Sequence, residues 1–116
     1  MQWTDERISG TTIDSFAEQL EATTANLEHK LIAKNHDYGN AFHESVEDFG
    51  NMVMAIRVND KVKRLKTLLK TDQQVKDETI EDTLYDLAGY AILSLIELEQ
   101  QKQIVRKLDM DKSDGD

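Results

Sequence analysis

The chain has 116 residues, a net charge of −9, 32% charged and 39% apolar residues, and neither cysteine nor proline. A chain of this length builds one modest core, and without cysteine it can form neither disulfides nor thiolate metal centres. No apolar run approaches the roughly 18 residues of a membrane span, and so acidic a chain is a poor bulk ligand for nucleic acid, whose phosphates are bound by cationic surface.

With no proline and few glycines, long stretches run uninterrupted, which favours helix. The opening "MQWTDERISG" lacks the shape of a signal peptide. With the missing cysteines, it suits a reducing cytoplasm. Residues 1–10 read as a flexible N-terminus, 11–108 as a single helical domain and 109–116 as a disordered acidic tail.

The first helix is predicted over about 13–34, where Ile13, Ala17, Leu20, Thr24, Leu27 and Leu31 step by four and three into a narrow apolar stripe. Thr11 with Asp14 resembles a capping box at its start. The stretch "KNHDYGNAF" follows, with Asn35 as a reasonable helix end and Gly39–Asn40 as the turn. Asn40 is placed to cap a short helix over 41–49, and Gly50 to break it. That account leaves His36, Asp37 and Tyr38 unexplained. An aromatic ring beside polar groups is what a base or sugar pocket needs.

A second long helix is expected over 51–70, with Ala55, Val58, Val62, Leu65 and Leu69 on its core face. After the connector "TDQQVKD", the last helix runs over about 78–107. Helices joined by short loops pack most easily as antiparallel neighbours, so the expected fold is an all-α, antiparallel up-and-down helical bundle.

At about 100° per residue, the last helix gathers Leu84, Leu87, Ala88, Ala91, Ile92, Leu95 and Leu98 on one face, which reads as core. Its opposite face carries Glu78, Asp82 and Asp86, then Gly89, Leu93 and Ile96. A helix apolar on both sides is sandwiched between neighbours or between subunits, so a homo-oligomer, dimer or tetramer, is expected. The two aspartates need compensating cations. The preceding helix offers Arg57, Lys61 and Arg64 in one stripe, with Asp60 one step round.

Two readings of these stripes stand side by side. One is a site for a divalent cation and phosphate: Mg²⁺ binds through one or two carboxylates plus substrate phosphates, with Arg or Lys on the phosphate oxygens. The other is an interhelical salt-bridge network with no ligand. His29 and His43 read as ordinary surface or interhelix residues, Tyr85 and Tyr90 as packing residues.

The segments "NHDYGNAF", "RVNDKVKRLKTLL" and "DETIEDTLYDLAGYAILSLIEL", in this order, resemble the small family called nucleotide modification associated domain 1, found in phage and Firmicute genomes. The resemblance covers about 27–99 and implies a setting in nucleotide metabolism. More distantly, the helical layout is similar to the MazG-like all-α nucleoside triphosphate pyrophosphohydrolases, which bind Mg²⁺ on two pairs of acids and cleave an NTP to NMP and pyrophosphate. Against their Glu-x-x-Glu and Glu-x-x-Asp pairs, this chain offers Glu44-x-x-Glu47 and Asp82-x-x-x-Asp86.

That likeness implies Asp82 and Asp86 as metal ligands, supported by Glu78, with Asp60 the alternative from the first half. It implies Lys61, Arg64 and Arg57 on the phosphates, and one of Glu44, Glu47 and Glu78 orienting the attacking water. Asp37 and Tyr38 become the base or sugar wall. The expectation is a Mg²⁺-dependent (deoxy)nucleotide pyrophosphohydrolase or a relative, cytoplasmic, in the bacterial host if phage-encoded. Against it stand a non-catalytic nucleotide binder or host-interaction protein, and a purely structural oligomeric bundle.

Overall fold

The computed structural model of the chain describes residues 15–38, 40–71 and 76–114, and the side chains of these except 37, 38, 76–79 and 112–114. They form the α-helices α1 (Phe16–Tyr38), α2 (Ala41–Phe49), α3 (Met52–Lys70) and α4 (Lys76–Asp114). No strand occurs among the described residues, and the protein is all-α. The chain divides into two compact units, residues 1–39 and 40–116.

The first unit contains α1. Its start is closed reciprocally: the Ser15 hydroxyl accepts the Glu18 N–H at 3.2 Å, and Glu18 Oε1 accepts the Ser15 N–H at 3.2 Å. This is the Ser-x-x-Glu capping box. The box expected from Thr11 and Asp14 lies outside the described residues. At the other end α1 continues to Tyr38 rather than ending at Lys34 and Asn35. Asn and Asp cost a helix interior at most about 0.7 kcal/mol each relative to Ala, too little to stop an established helix before a glycine.

In the second unit, α2 spans the expected nine residues. Asn40 holds the N-cap position through its backbone, its carbonyl accepting the Glu44 N–H at 2.9 Å, and its side chain makes no capping bond. Gly50 is the break: its N–H donates to the Val46 carbonyl at 2.7 Å, and it turns the chain at φ 85°, ψ −179°. That backbone region is open essentially to glycine alone, so α3 begins within two residues.

α3 and α4 run antiparallel. The Asn51 and Gln101 amides exchange hydrogen bonds at 3.2 and 2.8 Å, and further along α3, but further back along α4, Lys61 meets Asp86. Val58, Val62 and Leu65 turn inward as the spacing predicts, whereas Ala55 and Leu69 are exposed.

The largest departure concerns the faces of α4. Most of the stripe expected to be core is turned outward, with Leu84 48% and Leu95 63% exposed and Ile92 and Leu98 also accessible, while Leu87 and Ala88 are half-buried. The inward face is the other one, where Thr83, Gly89 and Glu97 are buried and Asp86 and Leu93 half-buried. Polar pairing decides between two apolar faces. This rotation gives Asp86 a partner on α3, Glu97 one on α2 and Gln101 one at Asn51 between them, which the leucine face could not supply.

α4 is also longer than expected. Residues from Asp109, read as a disordered tail, continue it to Asp114. No proline or glycine interrupts the sequence between Gly89 and Gly115.

Candidate functional site

Lys61 lies near the middle of the inward face of α3, flanked by half-buried Val58 and Leu65. Across from it, Asp86 projects from α4, and Lys61 Nζ approaches Asp86 Oδ2 to 3.1 Å. Both side chains are about one quarter exposed, at 26% and 23%. Burial of this degree weakens water's competition for the pair without removing water from it. Ligand phosphates could still reach the lysine.

One residue of each charge stripe therefore meets the other, Lys61 against Asp86. Because the helices are antiparallel, Arg64 lies one turn beyond Lys61 toward the same end at which Asp82 lies one turn before Asp86. Arg64, Asp82 and Asp60 are exposed and Arg57 is half-buried. The donor chemistry suits a Mg²⁺ held by one or two carboxylates and completed by nucleotide phosphates. It does not suit a cage made by protein alone, since no group of three or more Asp, Glu or His able to hold a metal occurs among the described residues.

Glu44 and Glu47 are elsewhere. Both are exposed on α2, and Glu47 Oε2 lies 3.4 Å from His43 Nε2. The other ring nitrogen of His43, Nδ1, lies 2.9 Å from both carboxylate oxygens of Glu97. Glu97 follows Asp86 by three helical turns, about 16 Å along the axis, so the α2 acids stand at a different level from the Lys61–Asp86 pair. Glu78, Asp37 and Tyr38 have side chains outside the described set.

The His43–Glu97 pair, 54 residues apart in sequence, escapes the sequence reading. Its hydrogen bond to buried Glu97, with the negative charges of Glu97, Glu47 and Glu44, raises the His43 pKa above the ordinary histidine value, against a smaller opposing effect of desolvation. Beside it, the rings of Phe42 and Tyr90 lie 5.6 Å apart in a tilted contact, pinning α2 to α4. One signal for Glu97 was present: it stands four residues after Leu93 and continues the line from Asp86 through Gly89.

Comparison with known proteins adds one finding. The family model described as nucleotide modification associated domain 1 matches residues 34–98, more than half of the chain. The matched stretch includes both the Lys61–Asp86 and the His43–Glu97 pairs. No curated protein and no solved structure matches the chain.

Proposed function

The chain belongs to the nucleotide modification associated domain 1 family, and on that premise we propose that it is a nucleotide-processing protein, a Mg²⁺-dependent (deoxy)nucleoside triphosphate pyrophosphohydrolase or close relative. The observation that supports this reading is the Lys61–Asp86 contact at 3.1 Å, a cation and an acid on facing helices.

Lys61 and Arg64 hold phosphate oxygens, with Arg57 beside them. Asp82 and Asp86 hold the Mg²⁺, and Asp60 on the flank of α3 is the further acid within the family match. When bound, Mg²⁺ neutralises charge on the phosphates and lowers the pKa of a nearby water. Lys61 would exchange Asp86 for phosphate, and the resting ion pair holds the two side chains toward each other. Of the acids expected to orient water, Glu78 stands one turn before Asp82, whereas Glu47 pairs with His43 and Glu44 is exposed on the same helix. The functional unit is a homo-oligomer, dimer or tetramer, completing an antiparallel bundle. It works in the cytoplasm, where nucleotides are. Among the described residues no helix is long and apolar enough to cross a membrane.

Incubation with a panel of NTPs and dNTPs plus Mg²⁺, reading monophosphate and pyrophosphate, is the direct test. Turnover that disappears in Asp82→Asn and Lys61→Met supports the assignment. A second reading, a non-catalytic nucleotide binder, is favoured by one feature: Asp86 is already paired with Lys61, and no group of three or more His, Cys, Asp or Glu able to hold a metal occurs among the described residues. In that case nucleotide raises Tm without being consumed. Neither turnover nor a Tm shift, from well-folded protein, would sink both.

A further inference from the structure

The outward face of α4 has an order that nucleotide chemistry does not use. Leu84, Ala88, Ala91, Leu95 and Leu98 follow one another by four, three, four and three residues, and Lys102 and Val105 continue the steps. That is the 3.5-residue repeat of a coiled-coil seam. Leu87 and Ile92 flank the seam on its two sides. Within the second unit the seam lies opposite the face that binds α3. Leu95 and Val105 are more than half exposed. We propose that α4 is a self-association surface, its seam pairing antiparallel with the same seam of a second copy.

Size and charge select both the occupant and the direction. In an antiparallel pair, layers form between unlike heptad positions. Centring the two-fold axis at residue 93 sets Ala88 against Leu98, Ala91 against Leu95 and Leu84 against Lys102. Each small side chain then meets a large one, the arrangement that fills a seam without voids. Lys102 of each copy also comes within a turn of Glu81 on the other. A parallel, in-register pair would set alanine against alanine at two adjacent layers. It would also oppose Lys102 to Lys102 and Glu81 to Glu81, like charges at both ends. One helix sequence thus complements itself in one orientation. The second copy supplies what the seam lacks, and this holds whether or not the protein turns over a nucleotide.

Light scattering on the full chain tests the association. The expected mass is at least twice 13.3 kDa, and Leu95→Glu, at an exposed position, should give a monomer with unchanged far-UV circular dichroism. Lys102→Glu should raise the dissociation constant at least about tenfold through like-charge contact with Glu81, and the swap Glu81→Lys/Lys102→Glu should restore it. Direction is read by oxidation, since the chain has no cysteine of its own. Leu84→Cys/Lys102→Cys should cross-link between copies. Lys102→Cys alone should not, its two copies lying about 27 Å apart along the axis. A wild-type mass of 13.3 kDa, for instance because another segment of the same chain covers the seam, overturns the proposal. So does an unchanged mass for Leu95→Glu, or efficient cross-linking of Lys102→Cys alone.

Discussion

His43 holds carboxylates at both ring nitrogens, Glu97 at 2.9 Å and Glu47 at 3.4 Å, so the doubly protonated ring is the form that satisfies both. Its pKa is raised mainly by the Glu97 hydrogen bond, whereas in the unfolded chain it returns to about 6.5. The folded state therefore binds the proton more tightly. The contribution to stability is complete below about pH 6.5 and is lost as pH rises through the raised value. Melting wild type and His43→Gln between about pH 5.5 and 9 should give a Tm difference that is largest at the acid end and shrinks toward the alkaline end. A difference independent of pH would mean that the ring acts by packing alone. At Lys61 the effect is unpairing. Lys61→Met leaves Asp86 about a quarter exposed without this partner, intermediate between a surface and a buried pair, and should cost about 1–2 kcal/mol by denaturant unfolding. Adding Asp86→Asn should recover part of that loss, giving a coupling energy distinguishable from zero in the double-mutant cycle.

At the scale of the element, Gly50 concentrates the backbone requirement. A Cβ there would meet no atom within 4 Å, yet φ is +85° with ψ near 180°. The cost of Gly50→Ala is thus conformational rather than steric, about 1–3 kcal/mol. An unchanged unfolding midpoint would show that α2 and α3 can join in another way. Gly50 also shows what local sequence can encode. The bounds of α2, the break at Gly50 and the end of α3 at Lys70 follow from side-chain spacing and from glycine itself, and they appear where expected. The meeting of Lys61 with Asp86 was legible because each belongs to a periodic charge stripe. The inward face of α4 was not legible, because periodicity reports stripes and not partners, and α4 has two apolar faces. The leucine face is the more hydrophobic of them, and a single-sequence reading turns it inward. The fold instead buries the face whose Asp86, Glu97 and Gln101 find partners. The His43–Glu97 pair was hidden for the same reason, since a contact 54 residues apart leaves no trace in either helix alone.

For the whole molecule, burial sets the terms of stability. In the unit from Asn40 onward the buried apolar side chains among the described residues are Val46 and Val53, each 6% exposed, while Met52, Ile56, Leu84, Leu95 and Val105 are each about half exposed or more. Removing apolar surface from water stabilises by roughly 25 cal/mol per Å², and so small a core leaves most of that gain unrealised within a single unit. Self-association along α4 would bury the part of that surface on α4, tying folding to protein concentration by mass action. Thermal melts at about 2 and about 200 μM should then differ, each tenfold in concentration being equivalent to about 1.4 kcal/mol per dimer. For a domain of this size that moves Tm upward by several degrees over the range. Leu95→Glu should lower Tm and abolish the concentration dependence together, because one interface causes both. Were the wild-type Tm the same at both concentrations, the exposed leucine face of α4 would contribute nothing through self-association, and the two-fold seam would have to be abandoned.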